Sequence, residues 1–241
     1  MKNWVVGFFE NGKVGEKMSS MENVYNMIYN DEKIRSIYNS INQRENNNKN
    51  AWCHHNFNHV SNVKDLVVEI MTKLDCNKEL IEEAKIAAIL HDTGAIEGKE
   101  NHAYRSYEFA KKYLKENGIN LPDEELVLEA IKKHSDGFNT ENTIQLALIL
   151  ADKLDIKFTR PTKVGLEIPG NRQFGNIKDI HIDIDKNSLN IYFISNENLN
   201  KKELEQYYFI EKVSNAIKSF SSKFNLNYKI YLDKTEWFEI Y

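Results

Sequence analysis

The chain has 241 residues, of which 41% are hydrophobic and 28% are charged, and its formal net charge is -4 at pH 7. An apolar fraction of this size excludes wholesale disorder, and the length fits one large domain or a medium domain with an appendage. The balance of charge lacks the basic excess of nucleic-acid-binding proteins, so we expect no nucleic-acid partner.

The cysteines and the hydropathy pattern indicate in which cellular compartment the protein is expected. Cys53 and Cys76 are too few for a disulfide framework and fit a reducing environment. No apolar run approaches the roughly 20 residues of a membrane-spanning helix. The apolar centre of residues 1–16 is too short for a secretory signal. We therefore expect a cytoplasmic protein with no membrane partner.

Apolar residues at spacings of three and four predict helices through the first two thirds of the chain. Ser19 and Ser20 form a predicted cap for the first helix, and Pro122 stands at the start of the fifth. The polar stretch 43–50 has no period and is predicted to be a loop. The predicted helices cover residues 19–41, 56–74, 78–92, 101–117, 122–134 and 141–157.

The pattern changes after Pro161. Alternating apolar and polar residues predict strands at 177–185, 189–195 and 226–233, with a helix at 201–222 between the last two. The sequence therefore predicts a mainly α fold. An N-terminal segment at 1–18 precedes a helical domain at 19–160, and an α+β appendage (strand-strand-helix-strand) follows at 161–241.

Histidines and carboxylates stand where these helices begin, end or are buried. Asp92 follows a histidine at the end of an apolar helix, and Asp152 lies within the apolar segment LALILADKLD. A buried carboxylate is costly unless it is paired or binds a metal, and imidazole with carboxylate suits first-row divalent cations. Four of the seven histidines lie at or near predicted helix ends, namely His59, His91, His102 and His134.

The order and surroundings of these residues resemble the HD-domain superfamily of metal-dependent phosphohydrolases. NHVSNVKDLV is similar to the family's first metal histidine at a helix start, AAILHDTGAIEG to its LLHDIGK box, and LILADKLD to its ADxLD box. NHAYRSYEFAKKYL and AIKKHSDG resemble the segments in which dinuclear members place two further histidines. The chain departs from the family at Ala95, where a lysine is usual. It also lacks the GYP tripeptide of the cyclic-dinucleotide phosphodiesterase branch.

The resemblance implies an HD-type helical domain that binds one or two divalent transition metals (Mn, Fe, Co, Ni or Zn). The first metal would be held by His59, His91, Asp92 and Asp152. His102 and His134 would bind a second metal or meet the substrate phosphate, and Asp92 could bridge the two metals.

The implied activity is hydrolysis of a phosphate ester by a metal-activated water. The substrate would be a nucleotide or another small phosphomonoester or phosphodiester, and a homodimer is left open. Asp92 and Lys153 are the predicted catalytic residues. Arg105 and Arg160 are the predicted phosphate contacts, since arginine favours bidentate contacts of this kind. For each of these three cations, a solvated surface charge is the alternative.

Two other functions stay open. Some members of the superfamily hold a mixed-valent di-iron centre and are oxygenases, and a non-catalytic module could sense a nucleotide through the same pocket. His54 and His55 are not expected to be ligands, although His55 could touch the substrate. His181, in an alternating strand, is expected to face solvent. Glu97 and Lys99 lie in the loop after His91 and Asp92, where a lid or a general acid could sit.

Overall fold

The computed structural model describes residues 20–135 and 137–237, which form a mainly helical protein with a small C-terminal sheet. The predicted mainly α fold class is confirmed. The predicted segment 1–18 and the Ser19 part of the first cap lie outside the described residues. The helices before the sheet are α1 (Ser20–Asn30), α2 (Glu32–Asn46), α3 (Phe57–Lys73), α4 (Lys78–Leu90), α5 (His102–Glu116), α6 (Glu124–Lys133) and α7 (Thr143–Leu154).

The first predicted helix, at 19–41, is wrong because the structure has two helices there. Asp31 separates them, and its Oδ1 accepts hydrogen bonds from the backbone N–H groups of Lys33 (2.7 Å) and Ile34 (3.3 Å). A side chain that satisfies free N–H groups in this way starts a new helix. Helix α2 then runs to Asn46, so the first part of the predicted 43–50 loop is helical.

Helix α4 lies at the centre of the helical part. It packs against α1, α3, α6 and α7, and its residues from Glu82 to Leu90 are buried except Lys85. The last residues of the helix, from Ile86 to Leu90, are all apolar and buried, and a helical stretch that is apolar all round is stable only inside a core. Its C-terminal end therefore delivers His91 and Asp92 to the interior of the protein.

The C-terminal part contains a four-stranded sheet in the order β1-β2-β3-β4. The strands are β1 (Ile177–Asp185), β2 (Ser188–Ser195), β3 (Asn227–Leu232) and β4 (Thr235–Glu236). Strands β1 and β2 form an antiparallel hairpin, and β3 lies parallel to β2. A parallel pair needs a crossover, which the intervening helices provide. The three predicted strands are present, and the sequence pattern missed β4.

The predicted 201–222 helix is also two helices, α8 (Lys201–Glu205) and α9 (Tyr208–Lys223). The backbone is extended at Tyr207, whose ring packs edge-on against Phe174 and whose hydroxyl donates to Asn171 Oδ1 at 3.1 Å. Burial of this tyrosine against the segment before β1 accounts for the break.

One continuous cluster of buried apolar residues extends from Met21 to Trp237. Within it, α9 packs against α7 and β1 packs against α3. The C-terminal part thus covers the helical part, while the division of the chain at residue 160 remains a prediction. No helix within the described residues is long and apolar enough to cross a membrane.

Candidate metal centre

Five helix termini or buried turns converge on one interior point. His59 lies in the first turn of α3, which Asn56 caps, and His91 is the residue that follows α4. His102 opens α5 and His134 follows α6, whereas Asp152 is buried near the end of α7. The fold therefore brings together the six predicted metal ligands, with Asp92 among them.

The two carboxylate oxygens of Asp92 face different pairs of histidines. Oδ2 lies 3.3 Å from Nε2 of both His59 and His91. Oδ1 lies 3.3 Å from Nε2 of His102 and 3.5 Å from Nε2 of His134. A carboxylate placed in this way can contribute one oxygen to each of two adjacent metal positions.

Asp152 completes the first of these positions. Its Oδ1 lies 3.2 Å from Nε2 of His59 and 4.0 Å from Nε2 of His91. The second position is formed by Asp92, His102 and His134, and the Nε2 atoms of these two histidines are 3.0 Å apart.

The donor atoms fit a divalent cation. Nε2 of His59, Nε2 of His91 and both oxygens of Asp92 are buried without a hydrogen-bond partner. Leaving such groups unsatisfied costs about 1–3 kcal/mol each, so a partner is expected. Donor atoms about 2.1 Å from a shared ion, at tetrahedral or octahedral angles, lie about 3.0–3.5 Å from one another. The observed separations agree with that range, except the 4.0 Å between Asp152 Oδ1 and Nε2 of His91.

Hydrogen bonds at the opposite ring nitrogens orient the histidines. Nδ1 of His91 donates to the Ala88 carbonyl (2.8 Å), and Nδ1 of His134 donates to the Ile131 carbonyl (2.8 Å). His102 makes the same kind of bond, to the carbonyl of Lys99 (2.7 Å). A carbonyl can only accept, so these bonds place the proton on Nδ1 and leave the Nε2 lone pair for a metal.

His59 uses a carboxylate instead, because Asp155 Oδ2 lies 2.7 Å from its Nδ1. Asn62 donates to the other oxygen of Asp155 at 3.1 Å. Asp155 had no predicted role. Its signal was present as the last aspartate of the segment LILADKLD.

The protonation states of Asp92 and His134 suit metal binding. Burial by itself would raise the pKa of Asp92, but the charges of His91 and His55 and the close rings of His102 and His134 lower it well below the usual carboxylate range. Burial lowers the pKa of His134 to about 4, against the effect of Asp92. An ionised carboxylate and a neutral imidazole are the forms that bind metals.

A turn without side-chain bulk lets the His91-Asp92 segment approach α5. A Cβ at Gly94 would lie 2.4 Å from the carbonyl oxygen of His102 and 2.5 Å from the backbone nitrogen of Ser106. Only glycine permits this approach, which places Asp92 beside the first residue of α5.

A small cavity of about 90 Å³ opens beside the ligands and is lined by cations. Nζ of Lys153 lies 2.5 Å from Asp152 Oδ2. Burial by itself would raise the pKa of Asp152, but the charge of Lys153 lowers this pKa well below its usual value. The guanidinium of Arg160 lies 3.9 Å from Asp152 Oδ1 and donates to the carbonyl of His54. The cations that line this cavity are Lys99, Lys153, Arg160 and Lys212.

Arg105, one of the two predicted phosphate contacts, is not brought to this cavity. Its Nε donates to the carbonyl of Gly94 at 3.0 Å, a second nitrogen donates to the carbonyl of Gly98, and Glu97 lies 3.6 Å from Nε. The guanidinium therefore braces the loop after Asp92, which is a structural role.

The structure brings His55 to this site, although it was not expected to be a ligand. Its ring lines the small cavity, and its Nδ1 lies 2.6 Å from Oε1 of the buried Glu45. Lys212 had no predicted role, and Lys99 was expected only in a loop where a lid or a general acid could sit. Their positions depend on α9 and on loop geometry. His181 is exposed on β1, as expected.

Comparison with known proteins agrees with this fold and ligand set. Residues 56–157 match the family model of the HD domain, and this stretch contains all six proposed ligands. This match confirms the resemblance to the HD domain seen in the sequence.

One solved structure is a crystal structure of a predicted HD superfamily hydrolase from an uncultured Thermotogales bacterium. It is 26% identical, covers 51% of this chain and 68% of its own, and superposes with a TM-score of 0.39. No curated protein matches the chain.

Proposed function

We propose that this protein hydrolyses a small phosphate ester, such as a nucleotide, with one or two divalent metal ions. The observation that carries the proposal is the Asp92 carboxylate, whose two buried, unpaired oxygens face separate histidine pairs beside a cation-lined cavity. A divalent metal bound there would polarise a phosphoryl oxygen and lower the pKa of a water molecule.

Other residues of the chain would hold the metals or orient the ligands. His59, His91, Asp92 and Asp152 form one metal position, while His102 and His134 complete a second one with Asp92. Asp155 and the carbonyl acceptors hold the imidazoles so that each Nε2 stays in place. Holding ligands in advance matters because preorganised groups need not reorganise when charge develops during the reaction.

The cations give the site its substrate preference. Lys99, Lys153, Arg160 and Lys212 line a cavity of about 90 Å³, which accommodates a group of few atoms. Charged donors in such a confined place bind phosphoryl oxygens and stabilise the charge that they gain in the transition state. This arrangement supports an anionic, phosphorylated substrate.

The first experiment measures metal content by elemental analysis of protein purified without chelator. The wild type is compared with Asp92→Asn and with the matched control Asp179→Asn, which changes a carboxylate on β1 outside the centre. We expect bound redox-inert metal in the wild type and the control, and its loss in Asp92→Asn. The metal-loaded wild type should release phosphate from nucleoside monophosphates.

Other outcomes would overturn the proposal. Two irons with an oxygen-dependent spectrum would identify the di-iron oxygenase instead. Failure to bind Mn, Co, Ni or Fe after reconstitution would remove the catalytic role and favour a nucleotide-sensing module.

A further inference from the structure

A second cavity, of about 330 Å³, adjoins the small cation-lined one. The two cavities share four residues, His55, Lys99, Arg160 and Phe209, so a ligand can occupy both. Small-molecule sites usually have volumes of roughly 300–1,000 Å³, and this cavity is at the lower end of that range. The residues of its walls indicate which chemical group it would recognise.

Aromatic side chains dominate one wall. Trp52 belongs to the loop between α2 and α3, whereas Tyr207, Tyr208 and Phe209 lie at the start of α9. Trp52 is 37% exposed and Tyr208 is 51% exposed, which is unusual for residues with so much apolar surface. Uncovered rings beside a cavity are suited to stacking on a planar ligand.

Amide and charged groups define the rest of the lining. Asn48 and Asn50 contribute side chains that can donate and accept hydrogen bonds. Arg44, Lys99 and Arg160 are the cations of this cavity, and they disfavour a cationic ligand.

Among the residues that the structure describes, Glu45 is the carboxylate that lines this cavity, and it already has hydrogen-bond partners. It accepts hydrogen bonds from the backbone nitrogen of His55 (2.9 Å) and pairs with the ring nitrogen Nδ1 (2.6 Å). Its charge is therefore not free to bind a positively charged group such as a quaternary ammonium.

We infer that this aromatic cavity binds the base of a nucleoside phosphate whose phosphate lies in the small cavity. The inference rests on the proposed function and specifies its substrate class. A nucleobase is planar, neutral and rich in hydrogen-bonding edges, so it matches stacked rings and amide side chains. A sugar phosphate or a glycerol phosphate would leave the rings of Trp52 and Tyr208 uncovered.

The C-terminal part of the chain would then have a role in substrate binding. The start of α9 contributes Tyr207, Tyr208 and Phe209 to the aromatic cavity and Lys212 to the small one. The helical domain holds the metal ligands, and the C-terminal part would then select the leaving group.

The test uses nucleosides, which carry no phosphate and cannot be hydrolysed at the metal centre. Adenosine, guanosine, cytidine and uridine are titrated into the full-length protein, and the tryptophan fluorescence is recorded. We expect saturable quenching by at least one nucleoside, loss of that signal in Trp52→Phe, and no quenching by ribose.

A matched pair of variants locates the binding site. Tyr208→Ala removes a cavity tyrosine, and Tyr104→Ala removes a tyrosine of nearly equal exposure (52%) on α5 outside both cavities. Stacking is worth about 1–3 kcal/mol per base, so Tyr208→Ala should weaken nucleoside binding roughly 5- to 150-fold. Tyr104→Ala should bind like the wild type.

The outcomes separate this inference from the proposed function. Metal-dependent hydrolysis of ribose 5-phosphate as efficient as that of nucleoside monophosphates, without nucleoside quenching, would overturn the base site alone. Nucleoside quenching that is lost in Trp52→Phe, without phosphate release from any substrate, would uphold the base site and overturn the hydrolase. Equal weakening in Tyr208→Ala and Tyr104→Ala would also contradict the inference.

Discussion

Asp155 pairs with the Nδ1 atom of His59 at 2.7 Å, while the Nε2 atom of the same ring lies 3.3 Å from Asp92. The imidazole is thus held between a carboxylate that orients it and a carboxylate that would share its metal. Such an outer carboxylate fixes the tautomer and increases the basicity of the ligand.

This relationship predicts the effect of Asp155→Asn. The amide keeps the size of the side chain but loses the charge, and we expect the affinity for Mn²⁺ or Ni²⁺ to fall about 10- to 100-fold. A competition titration against a chelator measures the affinity. Asp179→Asn serves as the control, and an affinity equal to the wild type's in Asp155→Asn would show that the pair does not orient the ligand.

Metal binding should also stabilise the fold, because the donor atoms are assembled only in the folded chain. A metal present at 100 times its dissociation constant adds about 2.7 kcal/mol to the free energy of unfolding. We expect Mn²⁺ to raise the melting temperature of the wild type and EDTA to reverse the shift. In Asp92→Asn the shift should vanish, and a shift as large as that of the wild type would argue against Asp92 as a shared ligand.

Arg160 and Arg105 should respond differently to the same substitution. Arg160→Lys removes a guanidinium from both cavities. A hydrogen bond from a charged group is worth about 1.5–3 kcal/mol, so its loss should raise KM for a nucleoside monophosphate roughly tenfold or more. Arg105→Lys should lower the free energy of unfolding but leave KM unchanged. Steady-state kinetics and denaturant unfolding of both variants measure the difference. A raised KM in Arg105→Lys would restore the substrate contact expected from the sequence.

Glu203 should make the stability of the C-terminal part depend on pH. It accepts two hydrogen bonds from Arg172, of 2.6 and 2.7 Å, and one from the backbone nitrogen of Gly170. These contacts, and that of Arg172 most of all, lower the pKa of Glu203 from 4.5 to about 2. A lowered carboxylate pKa stabilises the fold above the unfolded pKa of 4.5. This contribution is lost as the pH falls towards 2.

We therefore expect Glu203→Gln to destabilise the protein by about 1 kcal/mol at pH 6, since solvent screens the exposed pair, and by less at pH 3. Urea unfolding at the two pH values measures the effect. Glu167→Gln, in an exposed part of the segment before β1, is the control. A loss in Glu203→Gln that is equal at both pH values would mean that the charge is not its cause.

The sequence by its patterns alone predicted the fold class, the strands β1 and β2, and the order of the candidate ligand residues. Apolar spacing locates helices because a buried face must repeat with the helical period. His91 and Asp92 were identified as candidate ligands for a related reason, since polar groups at the end of an apolar helix need partners. Local patterns were less informative at Asp31 and Tyr207, where a capping side chain and a buried ring interrupt the helices.

Only the tertiary structure decided which polar residues meet. Arg105 and Arg160 look equivalent in the sequence, yet one braces a loop and the other lines both cavities. The division of the Asp92 oxygens between two histidine pairs and the contribution of α9 to the walls of both cavities likewise depend on packing between distant segments. Such placements arise from three-dimensional contacts, and the periodicity of a single segment carries no information about them.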